Sequence, residues 1–178
     1  MRPRMLAVLL AAALAGCSST SPPAAERDLP DELRVTSPAF ADGATVPTRF
    51  TCAGQEVSPP LAWSGTPPGT DELAVVVDDP DAPGGTFVHW VLYRLDPDLT
   101  ALAEGKLPAG AAQAANSAGS SGYKGPCPPP GPAHHYRFTV YALGQPLTLA
   151  GGAGSRRAVE AIEGAAIARG RLSATFKR

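Results

Sequence analysis

Three stretches of the chain have the hydrophobic patterns of β-strands. Residues 73–79 (LAVVVDD) and 86–95 (TFVHWVLYRL) are continuous apolar runs rich in β-branched residues, which predicts buried strands. Residues 134–143 (HHYRFTVYAL) alternate instead, and alternation predicts a strand with one face in the core. The two faces of that strand are Tyr136, Phe138 and Val140 on one side and His135, Arg137 and Thr139 on the other.

One helix is predicted near the C-terminus, over residues 155–170. Ser155 fits an N-cap and Gly170 fits a helix stop. Between them, apolar residues recur at helical spacing: Val159, Ile162 and Ala166. A short final strand is predicted over residues 174–177. The whole pattern therefore predicts a mostly β protein with a C-terminal helix.

Residues 1–16 are predicted to be a signal peptide and not part of the fold. Arg2 and Arg4 precede an apolar stretch that is too short to cross a membrane as a helix. The stretch ends in LAGC, which resembles the lipobox of bacterial lipoproteins, so Cys17 is predicted to carry lipid. The alternative is an ordinary secreted protein with a chance cysteine. Lipidation would hold the protein in the cell envelope, anchored to a membrane and facing the periplasm or the exterior.

The composition of the chain indicates one globular domain after the predicted signal peptide. Residues 17–33 are polar and rich in Ser, Pro and Ala, which predicts a flexible tether from the lipidated cysteine to a domain over residues 34–178. The 178 residues are 44% hydrophobic and 17% charged, as in globular proteins. A net charge of −1 gives no electrostatic reason to bind nucleic acid. The 19 glycines and 20 prolines predict many turns and argue against a helical bundle.

The chain has three cysteines, one predicted to carry lipid and two that remain to pair. If Cys17 carries lipid, Cys52 and Cys127 remain as an even pair in an exported, oxidising compartment. This predicts a disulfide between them. The alternative is two buried free thiols.

Several polar residues follow or interrupt the predicted strands. Asp79 and Asp81 lie on a turn that Pro80 and Pro83 stiffen, which suggests a prepared site, although an acidic turn with local hydrogen bonds is the commoner reason for such a pattern. His89 lies within an apolar run, where a histidine is more often a hydrogen-bonded core residue.

Strand alternation separates the two adjacent histidines at the start of the third strand. His134 shares its face with Tyr136, whereas His135 points the other way, so His134 is the candidate site residue. Carboxylates beside imidazoles orient the rings and favour their protonation. The glycine- and proline-rich stretch before His134 predicts a stiff wall, in which Gly125 lets backbone N–H groups approach a ligand. Protonated histidines, the Tyr136 hydroxyl and these N–H groups could hold a small anion such as phosphate.

Four motifs in order resemble one family. The segments SPPLAWSGTPPGT, DDPDAPGG, FVHWVL and GYKGPCPPPGPAHHYRFTVYAL resemble the phosphatidylethanolamine-binding protein family, in its bacterial YbhB/YbcL type, over residues 34–177. The resemblance implies an antiparallel β-sandwich with peripheral helices and a small anion pocket near one end. The family's pocket residues fall on Asp79, Asp81, His89, Gly125, Pro126, His134 and Tyr136. Eukaryotic members of the family regulate kinases or flowering. The sequence departs from them in having Pro-Ala-His-His over residues 132–135 and a longer proline run, so the kinase role is not carried over.

The sequence thus predicts a membrane-tethered bacterial lipoprotein that binds a small phosphate-bearing anion without turnover and without a cofactor. No serine has the nucleophile-elbow motif of a hydrolase. One alternative is a metal-dependent hydrolase with Asp79, Asp81, His89 and His134 as ligands of Zn²⁺ or Mn²⁺. Another is a protein-interaction or inhibitor module. For the leading hypothesis we expect His134→Ala to abolish binding without unfolding the protein, and His135→Ala to do much less.

Overall fold

The structure is a computed structural model, and it describes residues 28–178. The predicted signal peptide, Cys17 and most of the predicted tether therefore lie outside the described residues. Across residues 28–178, no helix is long and apolar enough to cross a membrane.

The larger of two antiparallel sheets has five strands in the order β6-β4-β3-β7-β8. Its strands are β3 (Glu72–Asp79), β4 (Phe87–Leu95), β6 (Ala112–Gln113), β7 (His134–Leu143) and β8 (Ala166–Phe176). The three strands predicted from the hydrophobic pattern are thus β3, β4 and β7. The continuous apolar run of β3 is explained by its central place, because seven of its eight residues are buried.

The smaller sheet has three strands in the order β1-β2-β5, which are β1 (Arg34–Thr36), β2 (Leu61–Ser64) and β5 (Ala101–Leu102). A short 3₁₀ helix, Thr48–Phe50, and one α-helix, α1 (Ser155–Ala165), complete the regular elements of the described residues. The predicted antiparallel β-sandwich with a helix near the C-terminus is confirmed.

Two hydrophobic cores lie on opposite faces of the five-stranded sheet. The core on one face lies between the sheets and includes Trp63, Trp90 and Phe138. The core on the other face lies under α1 and includes Ile162 and Tyr141. Each central strand therefore contributes apolar side chains to both cores, which fixes its register.

The C-terminal elements differ from their predicted bounds. The helix ends at Ala165 instead of continuing to Gly170, and β8 begins at once and runs for 11 residues. Gly170 is not a helix stop. It lies in β8 opposite Val140, where a Cβ would fall 1.9 Å from the carbonyl oxygen of Leu33. Glycine is needed at position 170 because the backbone of Leu33 crosses β8 at this point and leaves no room for a side chain.

The packed structure also begins before the predicted boundary at Arg34. Leu29 and Leu33 are buried, and the Leu33 N–H donates to the Arg169 carbonyl at 3.1 Å. Asp31 pairs with the Arg169 guanidinium at 3.1 Å. These contacts attach the N-terminal segment to the beginning of β8.

Candidate functional site

A cavity of about 360 Å³ lies at one end of the five-stranded sheet. The antiparallel pairing places the end of β3 beside the starts of β4 and β7, so residues distant in sequence meet there. The lining comprises polar residues at the base and mainly alanine, proline and glycine around them: Asp79, Ala82, Pro83, Phe87, His89, Ala118, Lys124, Gly125, Cys127, Pro128, Pro129, His134 and Tyr136. Five of the seven residues predicted for the ligand site line this cavity, and Asp81 and Pro126 do not.

Asp79 and His134 form a buried pair at the base of the cavity. His134 Nδ1 lies 2.8 Å from Asp79 Oδ2, and only 3% of Asp79 is exposed. The other carboxylate oxygen, Oδ1, accepts the N–H of Asp81 at 2.8 Å. Both oxygens of Asp79 are thus engaged by the protein, and the carboxylate orients the His134 ring with Nε2 left for an occupant of the cavity.

This pair changes one expectation about variants. Truncation of His134 to alanine would leave the buried Asp79 carboxylate without its side-chain partner, which typically costs about 3–5 kcal/mol. His134→Ala is therefore not expected to leave the fold unperturbed, as the sequence alone suggested. A variant that keeps an N–H donor near the position of Nδ1 is the better probe.

His89 is buried against the cavity wall. Its Nδ1 lies 2.7 Å from the carbonyl oxygen of Lys124, and a carbonyl can only accept. Nδ1 therefore carries the hydrogen, and in the neutral ring Nε2 is an acceptor. Burial lowers the pKa of His89 below its ordinary value, and this outweighs the Lys124 hydrogen bond and the nearby Asp79 carboxylate, which act to raise it. Burial thus favours the uncharged ring, whereas the sequence led us to expect a protonated imidazole.

The Tyr136 hydroxyl is a buried polar group without a normal hydrogen bond among the described residues. The residue is completely buried, and its hydroxyl makes no hydrogen bond of normal geometry within residues 28–178, although the Asp79 carboxylate is near enough to act on it. Its ring packs edge-on against His89, with centroids 5.3 Å apart. Burial, followed by the charge of Asp79, raises the pKa of Tyr136, so the hydroxyl keeps its proton. Buried polar groups are normally paired, so an orphan hydroxyl in a cavity marks a place where a ligand or water binds.

Asp81 has a role different from the expected one. Its Oδ2 accepts from the backbone N–H of His135 at 2.8 Å and lies 2.7 Å from Nδ1 of the same residue. Both side chains are on the exterior, and the pairing with His135 lowers the pKa of Asp81. Asp81 therefore anchors the turn that carries Ala82 and Pro83 at the cavity mouth, and it contacts neither site histidine.

The glycine and proline wall is fixed to a distant loop. The N–H of Gly125 donates to Glu56 Oε1 at 3.1 Å and so is not directed at the cavity. A Cβ on Gly125 would lie 2.8 Å from the carbonyl oxygen of Phe50. Gly125 is thus required for close packing of the wall on this loop, and the expected backbone donor to a ligand is engaged elsewhere. The carbonyl of Pro126 likewise accepts the N–H of Cys52 at 3.2 Å.

The predicted disulfide between Cys52 and Cys127 is present. Its Cα atoms are 5.4 Å apart, and it joins residues 75 positions apart in sequence. Because Cys127 lines the cavity and Cys52 belongs to the supporting loop, the disulfide fastens the wall at its rim.

Two contributors to the site were not predicted. Lys124 supplies the carbonyl that selects the His89 tautomer, while its ammonium pairs with Glu56 at 3.0 Å. Lys124 was within a recognised motif, but its role is made by the backbone, which a side-chain pattern does not show. Glu56 is 69 positions before Gly125, and nothing in the sequence indicated their contact.

A larger cavity, of about 520 Å³, lies on the opposite face of the sheet, beside α1. It contains the ion pair of Asp78 with Arg137, whose Nε donates to Asp78 Oδ1 at 2.8 Å. Asp78 and Asp79 thus point to opposite faces of β3, as strand alternation requires. We place the candidate site in the smaller cavity because the orphan hydroxyl and the two buried histidines are there.

No group of three or more His, Cys, Asp or Glu side chains in residues 28–178 is arranged to hold a metal ion. The four residues considered as metal ligands therefore do not converge on one point. Asp79 and His134 bond each other, while Asp81 turns outward to His135.

Two antiparallel sheets with one helix near the C-terminus and a cavity at one end of the larger sheet are consistent with the phosphatidylethanolamine-binding fold. The model of the family described as phosphatidylethanolamine-binding protein matches residues 36–177. The chain belongs to the phosphatidylethanolamine-binding protein family, and its relatives place it with the bacterial YbhB/YbcL type.

Three relatives illustrate the similarity. LppC of Mycobacterium tuberculosis, which is named as a lipoprotein, is 48% identical over 161 residues, covering 90% of this chain and 77% of LppC. The crystal structure of Escherichia coli YbcL is similar with a TM-score of 0.79 and 33% identity, covering 83% of this chain and 99% of YbcL. The Chlamydia trachomatis homologue CT736 has a TM-score of 0.76 and 37% identity over the same shares of the two chains.

Proposed function

We propose that this protein is a lipid-anchored binder of a small phosphate-bearing anion in the cell envelope. The observation that carries the binding proposal is the fully buried Tyr136 hydroxyl, which has no protein partner in the described residues and lies beside His89 and His134. A phosphate oxygen is a strong acceptor for such a donor.

The proposal assigns no turnover to the site. The cavity lining contains no serine or threonine, and its one cysteine, Cys127, is held in the disulfide. The hydroxyl and thiol nucleophiles of the common serine, threonine and cysteine hydrolases are therefore not available among the described residues that line the cavity. Tyr136 keeps its proton and acts as a hydrogen-bond donor.

The anchor proposal rests on the sequence and on a relative. LAGC ends the apolar leader at Cys17, and the relative LppC is named as a lipoprotein. The described domain begins at Asp28, so Cys17 would hold the domain to a membrane through the short segment between them.

Calorimetric titration with phenyl phosphate tests the binding proposal. We compare His134→Asn, whose side-chain amide can still donate to Asp79, with the matched exterior variant His135→Asn. The proposal predicts that His134→Asn lowers affinity at least tenfold, because the ring nitrogen facing the cavity is lost, while His135→Asn changes it less than threefold. Equal affinities for the two variants would refute the assignment. Thermal unfolding of both variants checks that each is folded.

A further inference from the structure

The wall of the cavity ends in a segment with few attachments to the rest of the protein. Residues 128–133, called the rim segment below, lead from Cys127 into β7, and Pro128 and Pro129 line the cavity. Residues 129–133 are all exposed, and none of the six makes a hydrogen bond with another residue in the described part of the chain. A Cβ on Gly131 would meet no neighbouring atom within 4 Å, so the rim segment stands clear of the protein at that point.

The part of the wall before the rim segment is held by hydrogen bonds. The N–H of Lys124 donates to the His89 carbonyl at 3.0 Å, and the N–H of Gly125 donates to a carboxylate oxygen at 3.1 Å. The Pro126 carbonyl accepts a third bond at 3.2 Å. None of these bonds involves a sulfur atom. Between them and the start of β7, the disulfide at Cys127 is the last covalent or hydrogen-bonded attachment of the wall in the described residues.

The disulfide is accessible to a reductant. Cys127 is exposed, and Cys52 is partly exposed. Nη1 of Arg178 lies 3.7 Å from Sγ of Cys127. A guanidinium at this position attracts an incoming thiolate and stabilises a thiolate that forms on Cys127. Because thiol–disulfide exchange depends on access and on thiolate charge, this disulfide is open to exchange in the folded protein.

We propose that the Cys52–Cys127 disulfide is a redox-sensitive fastening of the binding cavity, and that its reduction by an external dithiol releases the rim segment and weakens ligand binding. A wall that is already ordered adds nothing to the entropy lost on binding, whereas a released wall must be ordered again when the ligand binds. The loss of affinity rests on the proposed anion-binding function. The release of the rim segment does not, and it is tested separately.

The reduction is an ordinary two-step exchange. A thiolate of the dithiol attacks Sγ of Cys127 and forms a mixed disulfide, while the bond to Cys52 breaks with its electron pair on the Cys52 sulfur, which takes up a proton. The second thiolate of the reductant then attacks the reductant's own sulfur in the mixed disulfide and displaces the Cys127 thiolate beside Arg178. Two electrons pass from the dithiol to the two cysteines, the dithiol leaves as a cyclic disulfide, and its two protons pass to the cysteines or the solvent.

Backbone ¹⁵N relaxation before and after reduction with dithiothreitol tests the release. On reduction, the order parameter of the Gly131 N–H should fall from about 0.85, typical of rigid backbone, to below about 0.6. The N–H groups of Lys124 and Gly125 are internal controls and should remain near 0.85, because their hydrogen bonds do not depend on the disulfide. A rim segment that stays rigid would overturn the proposal. An equal loss of order at Lys124 and Gly125 would also overturn it, because reduction would then loosen the fold in general.

Calorimetric titration with phenyl phosphate tests the effect on binding. We expect the affinity of the reduced protein to be at least fivefold lower than that of the oxidised protein. By reciprocity, saturating phenyl phosphate should raise by the same factor the ratio of reduced to oxidised dithiothreitol at which half of the protein is reduced. The double variant Cys52→Ser with Cys127→Ser controls for dithiothreitol itself, and it should bind like the reduced protein whether or not the reagent is present.

Equal affinities of the oxidised and reduced proteins would overturn the proposed redox control. If phenyl phosphate does not bind the oxidised protein, the proposed function itself fails, and the order parameter of Gly131 still decides whether the disulfide fastens the rim segment.

Discussion

Replacement of Tyr136 by phenylalanine should move stability and binding in opposite directions. The hydroxyl is buried without a partner among the described residues, and a buried unsatisfied polar group typically costs about 1–3 kcal/mol. Since the adjoining cavity of about 360 Å³ has room for water, we expect the lower end of this range. Tyr136→Phe should therefore raise the free energy of unfolding of the unliganded protein by up to about 1 kcal/mol.

The effect on binding should be a loss. A hydrogen bond to a charged group contributes about 1.5–3 kcal/mol, which corresponds to a loss of roughly 10- to 150-fold in affinity for phenyl phosphate. Urea denaturation measures the first effect and calorimetric titration the second. A general loosening of the cavity could not give a higher free energy of unfolding together with a lower affinity, because it would lower both quantities.

Tyr123 supplies the matched control. Its hydroxyl donates to the Phe50 carbonyl at 2.9 Å and supports the wall from outside the cavity lining. Tyr123→Phe should lower the free energy of unfolding by about 1 kcal/mol, because a hydrogen bond is lost and a carbonyl is left unpaired. If Tyr136→Phe destabilises the protein as much as Tyr123→Phe, the hydroxyl has a partner and the reasoning is refuted. If Tyr136→Phe leaves affinity unchanged, the hydroxyl does not contact the ligand.

Three further predictions follow from other parts of the chain. Cys17→Ser should move the protein from the membrane to the soluble fraction, and an uncleaved variant that remains membrane-bound would contradict the anchor. Reduction of the Cys52–Cys127 disulfide, which joins residues 75 positions apart, should lower the free energy of unfolding by about 2–4 kcal/mol; an unchanged urea midpoint would contradict it. Burial lowers the pKa of His89 in the folded protein below the value of about 6.5 that it has in the unfolded chain. As the pH falls, the unfolded chain therefore binds more protons than the folded protein, and the free energy of unfolding should fall between pH 7.5 and 5.5. Urea denaturation should show a smaller fall in His89→Phe, and an identical fall would argue against this origin.

The central strands could be predicted because their hydrophobic pattern is decided by burial. β7 begins and ends at the predicted residues, and its alternation placed His134 with Tyr136 inside and His135 outside. β8 was mostly missed even though it alternates in burial along its whole length. Its inward positions include small residues such as Ala168 and Gly170, which give little hydrophobic contrast. The helical spacing of apolar residues also extends to Ala166, beyond the end of α1.

The site could be predicted only where local sequence rules, namely strand alternation and turn chemistry, determine the positions of its residues. Alternation and turn chemistry brought Asp79, His89 and His134 together, since each lies at the same end of neighbouring strands. The partner of Asp81 could not be chosen in the same way, because two adjacent histidines were within reach and the geometry of the turn decides between them. The role of Gly125 depends on Glu56, a contact across 69 positions that no local pattern reports.

The most direct test of the account is to observe which histidine rings respond to a ligand. ¹H–¹⁵N spectra of the imidazole side chains, recorded during a titration with phenyl phosphate at pH 6, report on His89, His134 and His135 separately. The account predicts that the ring nitrogens of His89 and His134 shift with one common dissociation constant while those of exterior His135 stay in place. Shifts of His135 alone, or no shift of His89 and His134 at saturating ligand, would contradict it.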